Sequence, residues 1–326
     1  MQTIKTLDEL QLQKGEVHAA RISIGSFSDG TEIYMPVIVG EGSGSGPTLL
    51  LTALLHGIEV GGYDVIRKLM YEELDFKQVR GRVVAVPIVN PFAFGVSNRF
   101  TPQDSADLNR VFPGNPNGTI SQRIANLVVE RLVSKADFVI DYHSCNPPSE
   151  VFTIVDAGGD EHVQEKSWAM AKAFGAITVT SAAHIPGTFS GYLSSIGKPA
   201  ITPELVFSRR FDPSAIAGVI GTKNVMKFLG LLEGEPETLP DAIPYNSKLL
   251  YTSYLANKGG FVYFRKNIGE GVEKNEVFAE VLNPWGEVIE QMNAPVDGMI
   301  IAYPMAGNQA VTTGDKVAYF ASELSR

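Results

Sequence analysis

The stretch TLLLTALLHGIEVGGYDVIRKLMYEEL, residues 48–74, decides the fold. Its first eight residues are an apolar run of strand length, and GIEVGGYDVIRKLMYEEL (57–74) reads as a turn entering an amphipathic helix. His56 therefore ends a strand and Glu59 begins a helix, an arrangement in which both side chains can face one point. ADFVIDYH (136–143) is a second buried-strand pattern that ends on His143, and KPAITPEL (198–205) is a third that delivers a lone carboxylate, Glu204. In open α/β sheets, ligands bind in the crevice beyond the carboxyl ends of the strands, where all three segments place their polar residues. A catalytic zinc takes three ligands from His and carboxylate side chains and leaves a position for water, whose pKa falls to about 7. Two His, one Glu and a spare Glu match that chemistry. An isolated H-x-x-E recurs by chance in many chains, so the argument rests on the convergence of three segments.

The surrounding sequence alternates in the same way. VHAARISIGSF and TEIYMPVIVG flank Ser28-Asp29-Gly30 as an opening hairpin, and EGSGSGP (41–47) is a loop before the first central strand. RVVAVPIVN (82–90), VFTIVD (151–156) and AITVTS (176–181) read as further strands. ISQRIANLVVERLVSKA (120–136), HVQEKSWAMAKAFG (162–175) and SAIAGVIGTKNVMKFLGLL (214–232) read as helices. This predicts an α/β fold, a mainly parallel or mixed central sheet with helices on both faces. EGEPETLPDAIPYNS (233–247) reads as a linker or wrapping loop. Beyond it the pattern is all short strands and turns, so the expected division is a catalytic domain over 1–235 and a linker plus small all-β domain over 236–326.

That last part resembles the small β-sandwich of biotinyl and lipoyl domains, with Ala294-Pro295-Val296-Asp297-Gly298 in place of their AP-x-DG-like segment. Those carrier domains need a Lys at a hairpin tip. Here Asn283-Pro284-Trp285-Gly286 occupies the expected tip, which points to a structural or oligomerising domain beside the catalytic entrance rather than a swinging cofactor.

Composition narrows the partners. The 326 residues are 44% apolar with a net charge of −9 and contain no Lys/Arg run, which argues against nucleic acid and against anionic membranes. No secretory leader opens the chain, and no stretch approaches the roughly 18 apolar residues of a membrane span. The single cysteine, Cys145, makes no internal disulfide, so the cytoplasm is the default compartment; the thiol reads as inert. A homo-oligomer is compatible with the composition. Small molecules are the expected partners.

Between the first two metal motifs lies VNPFAFGVSNRFTPQDSADLNRVFPG (89–114), a loop-like stretch carrying Arg99, Asp107, Asn109 and Arg110. Two arginines beside a metal suit anions, because the guanidinium pairs with a carboxylate in a two-pronged fork and stabilises an oxyanion. The competing reading is that Asp107 and one Arg only brace the loop. Of the remaining histidines, His18 and His162 are expected to face solvent. His184 and Tyr192, in SAAHIPGTFSGYL, are candidates for the pocket wall or for loop hydrogen bonding.

HGIE, the NP-x-AF segment, DLNRVFPG, DYH and the later Glu strand, in this order, resemble the succinylglutamate desuccinylase/aspartoacylase family, which shares its zinc site with the metallocarboxypeptidases. GTKNVMKFLGLL further resembles the bacterial predicted-deacylase branch. The resemblance covers about residues 15–232 and implies a zinc carboxypeptidase-like fold. It implies one zinc per chain on His56, Glu59 and His143, with Glu204 as general base and acid. Arg99 would stabilise the oxyanion, and Asn109 with Arg110 would hold a substrate carboxylate. The stretch SGYLSSIGKP (190–199) lacks the additional Arg that aspartoacylases carry there, so the acyl group is expected to be neutral unless Lys198, Arg209 or Arg210 supplies the charge. The implied function is hydrolysis of the amide of a small N-acyl amino acid or diamino acid by metal-activated water. The alternatives are a metallocarboxypeptidase acting on short peptides and a non-catalytic metal- or ligand-binding protein; the latter has no need of a second carboxylate such as Glu204. No G-x-S-x-G elbow suggests a covalent route.

Overall fold

A computed structural model describes residues 1–207, 213–240, 248–305 and 309–324. The chain opens with a short strand β1 (Gln2–Ile4) and then the expected hairpin, β2 (Glu16–Ser26) and β3 (Glu32–Glu41), paired from Glu16↔Glu41 to Ser26↔Glu32. The run that decided the fold becomes β4 (Gly44–Ala53). Its Leu49, Leu51 and Ala53 pack into one core and Leu50 into another, as a strand buried on both faces requires. Helix α1 (Gly61–Lys68) follows and passes into a single π-helical turn, Leu69–Glu73. The alternation continues with β5 (Arg80–Val86), α2 (Pro91–Gly95), α3 (Ile120–Arg131), β6 (Phe138–Cys145), β7 (Phe152–Val155) and α4 (Glu161–Phe174). It ends with β8 (Ile177–Thr180), α5 (Phe189–Ser195), β9 (Ala200–Val206) and α6 (Pro213–Phe228).

β5, β4, β6 and β9 lie side by side and all run parallel, whereas β7 joins β9 antiparallel, so the sheet is mixed. Residues of α1, α4 and α6 fill the core on one face, and those of α3 and α5 fill the core on the other. From β4 the chain moves to β5 on one side and later returns to β6 on the other. That reversal opens a crevice beyond the carboxyl ends of β4 and β6.

The C-terminal part is all β among its described residues: β10 (Leu249–Leu255), β11 (Gly260–Phe264), β12 (Gly271–Val272), β13 (Val277–Leu282), β14 (Val288–Asn293), β15 (Gly298–Ala302), β16 (Ala310–Val311) and β17 (Lys316–Glu323). β10 pairs parallel with β8 through Leu249↔Val179, and β17, β15 and β12 extend the same sheet to thirteen strands. β14, β13, β11 and β16 form a separate antiparallel sheet, and a core around Val262, Phe278, Met292 and Phe320 joins the two. The β13–β14 turn carries Trp285 at its tip, 84% exposed, and no Lys. Within the expected linker, Leu239 is buried and Asn224 brackets Glu237 through two backbone hydrogen bonds; residues 241–247 lie outside the described residues. Among the described residues no helix is long and apolar enough to cross a membrane.

Candidate active site

His56 reaches the crevice because the chain turns sharply just after β4. Leu54 adopts φ 59°, a left-handed conformation that costs a residue with a Cβ about 1–3 kcal/mol. Hydrogen bonds from Val89 N to Ala53 O, from Asn90 N to Leu54 O and from Asn90 Nδ2 to Leu55 O hold the turn. Gly57 follows with its backbone pressed against residues 93–94: a Cβ there would stand 2.1 Å from the Ala93 carbonyl carbon. Gly57→Ala is therefore expected to destabilise the protein by about 1–3 kcal/mol and to lower occupancy of the candidate metal site that His56 helps to form, since the clash is with backbone that cannot rotate away. Chemical denaturation and metal analysis read both effects, and a variant matching the parent in each would show that the 93–98 loop yields freely.

Three buried side chains meet in the crevice. Glu59 Oε1 lies 2.8 Å from His56 Nδ1 and its Oε2 lies 2.8 Å from His143 Nδ1, while the two Nδ1 atoms are 3.2 Å apart. The outer nitrogens of both rings are also held: His56 Nε2 by Asp107 Oδ1 at 3.0 Å and His143 Nε2 by Asp141 Oδ2 at 2.9 Å. Asp141 is itself fixed by the Thr52 hydroxyl at 2.6 Å, across the β4–β6 register Thr52↔Asp141.

This donor set fits a divalent cation. Three ligand atoms converge within 4.8 Å of one another, and each imidazole has a carboxylate at its outer nitrogen, an arrangement that would fix the tautomer with Nδ1 as ligand to a bound cation. Electrostatics agree. Burial would raise the Glu59 carboxyl, but the charges of His143 and His56 overcome it and hold the group well below its usual range. Burial would lower the His143 imidazole, yet Asp141 and Glu59 leave it well above its usual value. The crevice is arranged to hold positive charge.

Glu204 stands beside the cluster, its Cα paired with His143 across β6–β9 and with Phe152 across β7–β9. Desolvation pushes its carboxyl up to about 7; His143 opposes the rise and Glu59 adds to it. Among the described residues no hydrogen bond ties this carboxylate down, in contrast to Glu59, which also accepts from Ser144 N at 3.2 Å.

The loop residues divide. Arg99 forks onto Asp107 Oδ2 through Nε at 3.2 Å and Nη2 at 3.0 Å, and its Nη1 lies 3.7 Å from Glu59 Oε1. It is both the brace and a neighbour of the cluster. Asn109 presents Nδ2 3.5 Å from His143 Nε2, but its Oδ1 accepts from Phe189 N at 2.7 Å and so ties the loop to α5. Arg110 is exposed, and its guanidinium donates to the Asn109 carbonyl at 2.6 Å. His184 resolves toward loop bonding, with Nδ1 2.8 Å from the buried Asp156, and Tyr192 packs against the α3 and α5 core. His162 is exposed, whereas His18 is partly covered and accepts from Gln13 N. Cys145 is buried and its thiol is pushed up to about 12, chiefly by burial, as an inert thiol should be. Lys198 donates to the Ala136 carbonyl at the far end of β6 and does not reach the crevice; Arg209 and Arg210 lie outside the described residues.

Asp141 went unread as a site residue, although strand alternation puts it on the face of His143, two residues on. Asp107, a candidate of the same loop, both braces Arg99 and orients His56.

Fold and donor set together define an α/β deacylase. Residues 45–229 match the succinylglutamate desuccinylase/aspartoacylase catalytic domain, and the chain belongs to that family of amide-hydrolysing enzymes. It is 29% identical over 297 residues to the N-alpha-acetyl-L-2,4-diaminobutyric acid deacetylase of Halomonas elongata, covering 89% of this chain and 86% of the relative. The product-bound ectoine utilization protein EutE (DoeB) of Ruegeria pomeroyi superposes with a TM-score of 0.84 at 26% identity, over 96% of this chain and 98% of that one. A succinylglutamate desuccinylase/aspartoacylase of Rhodobacter sphaeroides gives a TM-score of 0.84 at 26% identity, over 97% and 99% of the two chains.

Proposed function

We propose that the chain is a zinc-dependent amide hydrolase acting on a small N-acyl amino acid or diamino acid, with N-α-acetyl-L-2,4-diaminobutyrate as the first candidate substrate. The observation that carries this reading is the buried convergence of His56, Glu59 and His143 beside a carboxylate without a fixed partner. Those three residues would hold the metal. A zinc ion bound there supplies Lewis acidity, which makes water a nucleophile near neutral pH.

The remaining roles fall to the chain's own groups. Glu204 takes a proton from the attacking water and returns it to the leaving amine, so no covalent intermediate forms. Arg99, held in place by Asp107, opposes the negative charge that develops on the amide oxygen. Arg110, with Asn109 beside it, binds the substrate carboxylate. Residues 1–235 form the catalytic part, and 236–326 supply a β wall.

Arg110→Ala is expected to raise KM for the carboxylated substrate about tenfold or more with kcat little changed, because the contact is made equally in ground and transition states. The reading as a whole is tested by metal analysis followed by an amine-release screen over N-acetyl and N-succinyl derivatives of the same amino acids and over short peptides. One zinc per chain and preferential hydrolysis of N-acetyl compounds are expected. A clear preference for peptides, or no amine release from a zinc-loaded protein, overturns it; a preference for succinyl compounds overturns the neutral acyl group.

A further inference from the structure

β17 begins with an irregularity that redirects a lysine. β10 and β17 pair regularly from Leu249↔Glu323 to Tyr254↔Ala318, but the next pair is Leu255↔Lys316, so Val317 is an extra residue on β17. Alternation alone would put Lys316 on the face of Ala318 and Phe320, inside the apolar core between the two sheets. The bulge reverses that. Val317 joins Ala318 and Phe320 in the core, and Lys316 turns to the face of Tyr319 with Nζ 5.7 Å from the ring centre. Tyr319 lies against Tyr251 with centroids 4.7 Å apart, and both pack with Cys145 and Phe152. Phe152 is the register partner of Glu204, and Cys145 follows His143 by two residues on β6. Lys316 therefore lies on the sheet face that Tyr319 shares with the neighbours of Glu204 and His143, while remaining open to solvent.

Charge balance gives the lysine a purpose. Arg99 has Asp107 and Glu59 as partners, whereas Arg110 and Lys316 form no ion pair among the described residues. Desolvation first, then the positive charges of Arg110 and Arg99, hold the Lys316 ammonium below its usual range, with Glu204 pulling the other way. Neither Arg110, from the 108–110 loop, nor Lys316, from the β part, has a carboxylate within ion-pair distance among the described residues, and each feels the other's charge. An anion shared by both removes the repulsion.

We propose that Lys316 is a specificity-determining residue that binds the substrate carboxylate jointly with Arg110, so that the C-terminal β part completes the substrate site. This rests on the amide-hydrolase reading above. It assigns the β part a chemical role beyond that of a wall, and it accounts for a bulge that exposes a lysine where alternation would bury it.

The test uses the full-length, zinc-loaded protein with Lys316→Met and Lys316→Arg, and two probes: N-α-acetyl-L-2,4-diaminobutyrate and its decarboxylated analogue, N-acetyl-1,3-diaminopropane. Lys316→Met is expected to raise KM for the first probe about 10–100-fold, with kcat within about threefold of the parent. It should leave kcat/KM for the decarboxylated probe unchanged, and Lys316→Arg should recover most of the loss. Parent-like kinetics of the Met variant on the carboxylated probe, or equal losses on both probes, overturn the proposal, the second outcome marking a purely structural residue. Calorimetric titration with L-2,4-diaminobutyrate, which carries the carboxylate but no amide to cleave, reads the same contact without turnover. Weaker binding by Lys316→Met at parent zinc content supports the contact even if no substrate is hydrolysed, whereas equal binding removes it.

Discussion

Glu204→Gln is expected to lower kcat by about 10²–10⁴ while metal content stays at the parent level. The amide has nearly the shape of the carboxylate but takes no proton at neutral pH, so proton transfer is the property removed. The three candidate metal ligands are untouched, because among the described residues Glu204 makes no hydrogen bond to them and pairs with His143 through the strand register. The fold should not suffer either. A desolvated carboxylate whose ionisation is already disfavoured is replaced by a neutral group of equal size, so thermal stability is expected to match or exceed that of the parent. Steady-state kinetics with N-α-acetyl-L-2,4-diaminobutyrate, zinc analysis and a thermal melt on the same preparation separate the three quantities. Turnover within about threefold of the parent would remove Glu204 from the proton path. Loss of zinc together with activity would instead make it a determinant of the metal site.

The parts of this site that were legible in the sequence are those fixed by local rules. An apolar run ending on a polar residue gives a strand and its carboxyl end together, so His56, His143 and Glu204 could be placed at one rim before any pairing was known. Asp141 obeys the same rule, since residues two apart on a strand share a face. Lys316 breaks it. Its parity with Ala318 and Phe320 predicts a core position, and only the pairing of β17 with β10, more than sixty residues earlier, shows the extra residue that turns it outward. Alternation is a property of one strand, whereas a bulge is a property of two. The continuity of the main sheet into the C-terminal part was hidden for the same reason, because the Leu249↔Val179 pairing leaves no mark in either segment. Asn109 shows a further limit. Its side chain suits a substrate contact, but the amide oxygen is committed to Phe189 N, eighty residues away.

His143→Ala is expected to leave less than about one-tenth of a zinc per chain and to reduce amide hydrolysis to background, a loss that chelation of the parent should reproduce and added zinc should reverse. The imidazole is the central donor of the cluster, with Nδ1 2.8 Å from Glu59 Oε2 and 3.2 Å from His56 Nδ1. Without it, two ligand side chains remain where a catalytic zinc takes three. The substitution also strands Asp141, which keeps the Thr52 hydroxyl but loses its imidazole partner, so some destabilisation follows from the missing side chain alone. Metal-dependent stability separates that cost from loss of the site. A ligand that binds only the folded state stabilises it by about 2.7 kcal/mol at a hundredfold excess over Kd, so zinc should raise the Tm of the chelated parent and leave that of His143→Ala unmoved. A variant that still binds one zinc and responds to it like the parent would move the metal site elsewhere. A parent whose activity survives complete chelation would leave Glu204 and Arg99 to carry the chemistry without a metal.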